Sequence, residues 1–143
     1  MYTFSTRREI SAPVETVYAA ISKPELLALW WGPDGFSNTF HLFEFFNGGC
    51  WSFTMHGPDG QNYPNESVFV DIQPGKQLVI RHVCAPFFTL TIQLSPSSTG
   101  TLVAWSQQFD DAQLAKKLAA IVEPANEQNL TRLTAVVAAA SNR

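Results

Sequence analysis

The hydrophobic pattern of the chain begins with period two and changes to helical spacing after ten residues. Apolar and polar positions alternate over 2–10, which predicts a first strand. Two short helices are predicted next, with Pro13 and Pro24 in their first turns. The first helix has apolar residues at helical spacing and the second has an apolar surface: Val14, Val17, Tyr18 and Ile21, then Leu26, Leu27, Leu29 and Trp30.

From Phe36 the alternation returns and continues to Phe109. Six strands are predicted in succession, over about 36–46, 51–56, 62–72, 78–83, 87–94 and 101–109. Each strand is reached by a short turn, which favours antiparallel pairing, because parallel strands need a long crossover.

The alternation also predicts which side chains face the interior of the sheet. Pairing Phe46 with Trp51 across the turn at 47–49 keeps the more apolar set on one face. The inward set is then Phe40, Leu42, Glu44, Phe46, Trp51, Phe53, Met55, Glu66, Val68, Val70, Ile72, Leu78, Ile80, His82, Phe88, Leu90, Ile92, Leu94, Val103, Trp105 and Gln107. The outer set includes Thr39, His41, Phe43, Phe45, His56 and Phe87.

The C-terminal part of the chain is helical in pattern. Asp110 and Asp111 are placed to cap a helix that Pro124 interrupts, and a second helix is predicted over 125–140. The whole order is α+β, with one face of the sheet covered by helix and the other exposed to solvent.

Composition limits the class of protein. With 143 residues, 45% hydrophobic and 15% charged, the chain is expected to fold as one domain over 1–143. The nine Lys and Arg are scattered and the net charge is -3, so a nucleic-acid partner is not expected. The pattern contains no signal-peptide core and no membrane span, so we expect a cytoplasmic protein. Cys50 and Cys84 lie in unrelated contexts and are expected to be free thiols.

Four motifs connect this order to a known family. They read APVETVYAA at 12–20, WWGPDGF at 30–36, GGCWSF at 48–53 and MHGPDG at 55–60. In these motifs the chain resembles the family named for activators of the ATPase of the ninety-kilodalton heat-shock protein. That family belongs to the START-like superfamily, also called SRPBCC or Bet v 1-like.

The resemblance implies a helix-grip fold, in which a curved seven-stranded antiparallel sheet wraps around a long C-terminal helix and two short helices follow strand 1. It also implies a hydrophobic pocket between sheet and helix. Relatives begin the terminal helix with a Gly-Trp pair, and the matching positions here are Ala125 and Asn126. A bulky cover is therefore expected to be missing at one end of the pocket.

Candidate ligand-binding residues come from the inward set and from the double-Trp motif. One of Trp30 and Trp31 is expected to be structural, and Trp31 is assigned to the pocket with Phe40, Glu44, Trp51, Phe53, Met55, Glu66, His82, Trp105 and Gln107. Glu66 and His82 are the candidate catalytic pair, since a carboxylate and an imidazole in an apolar cavity can do acid–base chemistry. The sequence shows no nucleophile motif, no metal-ligand spacing and no phosphate loop, so neither a metal nor another cofactor is expected.

Three functions are compatible with these residues. The preferred hypothesis is binding of a small hydrophobic molecule without catalysis. The second is an enzyme of the cyclase or hydrolase kind that uses acid–base residues in the cavity. The third is a co-chaperone-like interaction module, ranked last, because the family's name describes a domain that usually works within a larger protein. A homodimer is compatible with the lightly charged chain.

Overall fold

The structure, a computed structural model, describes residues 1–141. Seven strands and three helices follow one another in the predicted order. They are β1 (Tyr2–Ile10), α1 (Val14–Ser22), α2 (Pro24–Trp30), β2 (Ser37–Phe43), β3 (Cys50–His56), β4 (Asn62–Gln73), β5 (Gln77–His82), β6 (Phe88–Pro96), β7 (Thr101–Phe109) and α3 (Ala112–Ser141).

The strands form one antiparallel sheet in the order β1-β7-β6-β5-β4-β3-β2. From β2 to β7, strands that are consecutive in sequence pair with each other, and β1 forms the edge of the sheet beside β7. The sheet is curved, and α3 lies across its concave side, with α1 and α2 inserted after β1. The helix-grip expectation is therefore confirmed.

Local chemistry explains where the helices begin. Pro24 occupies the first turn of α2, as predicted, whereas Pro13 is the residue before α1. Asp111 caps α3, because its Oδ1 accepts hydrogen bonds from the backbone N–H groups of Gln113 and Leu114 at 3.0 and 3.1 Å. Asp110 has a different role, since it binds Arg81.

The predicted break at Pro124 is wrong, because α3 is one continuous helix from Ala112 to Ser141. A proline removes the N–H that would bond to the carbonyl four residues earlier, here that of Ala120. Both Ala120 and Pro124 are exposed, so solvent can satisfy this carbonyl. Packing of the buried residues Leu130, Leu133 and Val137 supplies the stability that a proline-containing helix lacks.

A β-bulge at His41 reverses the predicted faces in the second half of β2. Phe40 lies opposite Phe53, but Leu42 lies opposite Ser52 and Phe43 opposite Trp51. The extra residue turns Phe43 and Phe45 into the core, where both rings contact Phe69. Leu42 and Phe46 are exposed instead, and the predicted pairing of Phe46 with Trp51 is wrong.

A second bulge, at Val70, and a different starting phase change β4 as well. Asn65, Ser67 and Phe69 face inward, so Glu66, Val68 and Val70 belong to the outer face, contrary to the prediction. Beyond the bulge Ile72 packs against the core, as predicted. Strands β3, β5, β6 and β7 contain no bulge and present the predicted side chains inward.

Most of the aromatic residues pack in this core. Trp30, Trp51, Phe53 and Phe69 are completely buried, together with aliphatic residues from the sheet and from α3. A smaller cluster of Phe4, Phe109 and Ala115 holds the start of α3 against β1 and β7. None of the helices in residues 1–141 is long and apolar enough to cross a membrane.

Candidate functional site

A cavity of about 250 Å³ lies between the concave face of the sheet and the middle of α3. Its wall is formed by five strands, by the segment that follows α2, and by α3 itself. The lining residues are Trp31, Gly32, Pro33, Phe53, Met55, Asn65, Ser67, Ile80, His82, Pro86, Phe88, Leu90, Trp105, Gln107, Ile121, Val122, Ala125, Asn126 and Asn129. We call this cavity the central pocket.

The two adjacent tryptophans have different roles. Trp30 is completely buried, and its indole N–H donates to the carbonyl of Ala20 at 2.9 Å, which fixes α2 against α1. Trp31 lines the central pocket and stacks edge-on against Trp51 and Phe53. The expectation that one member of the pair is structural agrees with this arrangement.

Two side chains of α3 fix the pocket rim at Gly32. The backbone N–H of Gly32 donates to Asn129 Oδ1 at 2.8 Å. Arg132 donates to the carbonyls of Leu29, Gly32, Pro33 and Phe36 at 2.8 to 3.0 Å. Gly32 has φ +100°, a backbone conformation that strains any residue with a Cβ, so the rim favours glycine at this position. The rim is therefore a hydrogen-bonded joint between α2 and α3.

His82 is the buried histidine of the pocket and is held by three groups. Its Nδ1 lies 2.7 Å from the carbonyl oxygen of Pro86, and its Nε2 lies 2.7 Å from Asn65 Oδ1 and 3.3 Å from Cys84 Sγ. The ring also stacks on Phe88, with 4.5 Å between ring centroids. Because the Pro86 carbonyl only accepts, Nδ1 carries a proton and donates it.

The environment favours the neutral form of His82. Burial lowers the pKa of the imidazole below its ordinary value of 6.5; the hydrogen bond to Pro86 opposes this shift and the charge of Arg81 adds to it. In the neutral ring Nε2 is an acceptor and can take a hydrogen bond from the Cys84 thiol. In this neutral form the 2.7 Å contact between Nε2 and Asn65 Oδ1 joins two acceptors, and only in the cation does Nε2 donate a hydrogen bond to Asn65 Oδ1.

Two buried polar atoms on pocket-lining residues of β7 have no protein partner among the described residues. They are the indole Nε1 of Trp105 and the amide Oε1 of Gln107. A buried polar group without a partner costs about 1 to 3 kcal/mol, so such atoms are uncommon in folded proteins. Trp51 Nε1 and Asn38 Oδ1 are also buried and unpartnered, but these two residues lie outside the pocket lining.

Six of the predicted ligand-binding residues line the central pocket: Trp31, Phe53, Met55, His82, Trp105 and Gln107. Phe40 and Trp51 lie behind this wall, where both pack in the core. Glu44 lies in the β2–β3 connection, and its Oε1 accepts a hydrogen bond from the backbone N–H of Cys50 at 3.1 Å. It does not reach the pocket lining.

The predicted pairing of Glu66 with His82 inside the cavity is wrong. Glu66 is exposed on the outer face of β4, where its Oε1 accepts a hydrogen bond from Ser52 Oγ at 2.9 Å. The phase of β4 puts Asn65 and Ser67 on the inward face, so an amide meets His82 where a carboxylate was expected. His82 is the sole residue with an ionisable Asp, Glu, His, Lys or Arg side chain among the lining residues.

Four polar pocket residues were absent from the predicted ligand-binding set, although the sequence comparison had placed Asn126 at one end of the pocket. Asn65 and Ser67 face inward because of the phase of β4, and the residue pattern of this strand did not indicate that phase. Asn126 and Asn129 of α3 carry a usable signal, because they lie on the same helix face as Leu130 and Leu133. Two amides within the apolar stripe of a helix indicate a polar feature in the space that the stripe covers.

A larger groove of about 630 Å³ follows edge strand β1 and α3. Most of its lining residues are exposed, among them Thr3, Ser5 and Glu123. Glu127, another lining residue, pairs with Arg8, whose Nη2 lies 3.2 Å from Glu127 Oε1. The groove lacks the apolar enclosure of the central pocket. Within residues 1–141, no three His, Cys, Asp or Glu side chains are grouped as metal ligands would be.

Comparison with known proteins agrees with the architecture. A family model described as "Activator of Hsp90 ATPase homolog 1-like protein" matches residues 11–138. No curated protein matches the chain.

Solved structures share the fold over almost the whole chain. A protein of Nitrosomonas europaea is 22% identical with a TM-score of 0.90, and the alignment covers 99% of this chain and 97% of that one. An AHSA1-like protein of Aeromonas hydrophila is 19% identical with a TM-score of 0.78, covering 99% and 96%. A protein of Arthrobacter aurescens is 25% identical with a TM-score of 0.86, covering 95% and 86%.

Proposed function

The chain belongs to the Activator of Hsp90 ATPase homolog 1-like family of START-like proteins, and from this premise we propose that it binds a small, mostly apolar molecule in the central pocket. The observation that carries the proposal is the pocket itself. It is lined mainly by aromatic and aliphatic side chains of the sheet and α3, with a few polar groups. Small-molecule sites in proteins have this composition.

Binding fits the arrangement of polar groups better than acid–base catalysis does. A general acid–base mechanism that uses two side chains needs both within reach of the substrate. Here Glu66 is on the outer face and His82 is engaged with Pro86, Asn65 and Cys84. The remaining polar lining is made of neutral side chains, which are suited to orienting a ligand.

Native mass spectrometry of freshly purified protein tests the proposal. We expect a retained small molecule, and we expect Ala125→Trp to abolish its retention, because Ala125 lines the pocket and an indole there would fill it. Ala138→Trp is the matched control, since Ala138 is exposed on the same helix and contributes to no pocket wall described above.

If the purified protein retains no small molecule, titration with indane, an apolar bicyclic hydrocarbon, tests the same proposal. The wild-type protein and Ala138→Trp should bind indane, and Ala125→Trp should not. Equal binding by both variants would place the ligand outside the central pocket, and no binding by the wild-type protein would refute the proposal.

A further inference from the structure

Cys84 and His82 form a thiol–imidazole pair at the end of β5. Cys84 Sγ lies 3.3 Å from His82 Nε2, which is within hydrogen-bond reach for sulfur. The other ring nitrogen, Nδ1, donates to the Pro86 carbonyl at 2.7 Å, and this bond fixes the orientation of the ring. A nucleophile within reach of a base, with the base oriented by a third group, is the arrangement that activates cysteine in enzymes. The pair therefore has the geometry of an activated thiol.

The surroundings of Nε2 are ready to hold the proton of the thiol. Asn65 places its amide oxygen 2.7 Å from Nε2, and its amide nitrogen donates to the Tyr63 carbonyl at 2.9 Å. The contact between Nε2 and Oδ1 joins two acceptors while the ring is neutral, and it becomes a hydrogen bond once Nε2 carries a proton. An imidazolium formed with the proton of Cys84 would thus donate to Asn65 and to Pro86 at once.

His82 is neutral before such a transfer, as a base must be. Burial lowers the pKa of its imidazole below the ordinary value of 6.5, so the unprotonated ring prevails near pH 7. The ring can therefore accept a proton at the pH at which the transfer would occur.

Cys84 lies in the connection between β5 and β6, at the surface of the protein. The residue is partly exposed, and its neighbours Val83 and Phe87 are 42% and 47% exposed. A small molecule can approach this connection from solution without entering the core. Because the thiolate is the reactive form of cysteine, a thiol that gives its proton to a neighbouring base reacts with electrophiles faster than its exposure alone predicts.

We propose that Cys84 is a covalent modification site for small α,β-unsaturated carbonyl compounds, with His82 as the proton acceptor. In this addition a bond forms between Sγ and the β-carbon, and the C=C π bond breaks. The thiol proton passes to His82 Nε2 and from there to the α-carbon. The reaction needs a proton acceptor and a proton donor but no oxidant, which matches what His82 supplies. The inference is independent of binding in the central pocket, since Cys84 is not among the residues that line it.

Methyl vinyl ketone, a small α,β-unsaturated ketone, tests the proposal on the full chain. Quenched samples are digested, and the adduct at each cysteine is followed by mass spectrometry, so that Cys50 is the reference thiol in the same molecule. Cys50 is exposed, and among the described residues no histidine bonds to its thiol. We expect Cys84 to be modified at least about tenfold faster than Cys50 at pH 7, although Cys84 is less exposed.

His82→Gln removes the base. It should slow the modification of Cys84 by at least about tenfold and leave the rate at Cys50 unchanged. His41→Gln is the matched control, because His41 is an exposed histidine that bonds to a threonine on the neighbouring strand. Circular dichroism establishes that each variant is folded.

The pH dependence separates a base from a residue that only shapes the site. The reactivity of a thiol without a neighbouring base follows its thiolate fraction and falls with pH, whereas a neutral imidazole still accepts a proton at pH 7. The ratio of the rate at Cys84 to the rate at Cys50 should therefore rise at least about threefold from pH 8 to pH 7 in the wild-type protein. In His82→Gln the ratio should not change with pH.

Two charged residues adjoin the pair. Arg81 precedes His82 on β5 and is bonded to Asp110, and Glu66 of β4 has its carbonyl oxygen 3.9 Å from Cys84 Sγ and its side chain on the outer face. Guanidinium and carboxylate groups keep their charge between pH 7 and pH 8, so a change in the ratio reports on the thiol and its base.

The measurements on the wild-type protein decide the proposal even if His82→Gln does not fold. Modification of Cys84 no faster than that of Cys50, or a ratio of rates that stays constant between pH 8 and pH 7, would overturn it. Neither result bears on the central pocket, and a failure of indane to bind would leave the assignment of Cys84 intact.

Discussion

His82 shows how a single buried residue links the pocket to the pH of the solution. It is 6% exposed, and burial lowers its pKa below the ordinary value of 6.5. The unfolded chain then binds a proton on this residue at a higher pH than the folded chain does. The contribution to stability is complete above pH 6.5 and is lost as the pH falls below it, toward the lowered folded pKa.

We therefore expect the free energy of unfolding to fall between pH 7.5 and pH 5.5, with a slope from His82 of at most about 1.4 kcal/mol per pH unit. Urea denaturation at several pH values measures the slope. His82→Gln should remove this part of it, whereas His41→Gln, at an exposed position, should leave it unchanged. Parallel pH profiles for His82→Gln and the wild-type protein would contradict the prediction.

Arg132 is the residue that holds the pocket rim together. Its guanidinium donates to four carbonyls at the end of α2 and in the segment after it, and one of these, the Pro33 carbonyl, also accepts from the backbone N–H of Phe36 at 3.2 Å. Arg132→Met should lower the free energy of unfolding by about 2 to 4 kcal/mol. Arg132→Lys should recover less than half of the loss, because an ammonium group lacks the planar fork of donors.

The control for this experiment is Arg8→Met. Arg8 also joins α3 to another element, β1, through an ion pair with Glu127 and hydrogen bonds to the Glu127 carbonyl and to Thr131 Oγ1, but it does so near the surface, where an ion pair contributes about 1 kcal/mol or less. Urea denaturation of the three variants separates a structural joint from ordinary surface charge. Equal losses for Arg132→Met and Arg8→Met would show that the rim does not depend on the arginine.

At the scale of elements, β2 is a strand in which the structure differs from the faces that strict alternation predicts. Phe43 is in the core and Leu42 is 45% exposed, the reverse of the assignment by strict alternation. Phe43→Ala should cost about 2 to 3 kcal/mol, because it removes a ring packed on Trp51 and Phe69, and Leu42→Ala should cost less than about 1 kcal/mol. Thermal or urea unfolding of the two neighbours decides the register, and a larger loss for Leu42→Ala would contradict the bulge at His41.

The same strand shows which features of the sheet can be predicted from the sequence and which cannot. Period and turn residues located every strand, since an alternating run bounded by Gly, Pro and Asn is a local property. Which face is inward depends on phase, and one extra residue in a bulge reverses it for the rest of the strand. In the strands without bulges, alternation therefore predicted the inward position of Trp105, Gln107 and His82. In β4, and in β2 with the connection after it, alternation assigned Glu66, Phe43 and Glu44 to the wrong face.

The continuity of α3 was unpredictable for a related reason. Local propensity opposes proline inside a helix by about 3 kcal/mol relative to Ala. The interactions that overcome this are non-local, between Leu130, Leu133 and Val137 and the sheet. Asn126 and Asn129 then reach the central pocket because the helix continues past Pro124 without interruption.

At the scale of the whole molecule, the proposed ligand binding would couple the central pocket to the stability of the fold. The sheet and α3 close around the central pocket, so a molecule bound there contacts both layers and binds the folded chain alone. Such binding stabilises the folded state by RT ln(1 + [L]/Kd). Indane at ten times its dissociation constant should thus add about 1.4 kcal/mol of stability. For a chain of this size, that stabilisation should raise Tm by about 3 to 6 °C.

Thermal unfolding followed by circular dichroism measures this shift in three proteins. The wild-type protein and Ala138→Trp should show the rise in Tm, and Ala125→Trp should show none, because its indole occupies the same space as the ligand. The unliganded Tm of each variant corrects for the effect of the substitution itself. An equal rise in Ala125→Trp would mean that indane stabilises the fold from another site, and the coupling between sheet, helix and pocket would then be wrong.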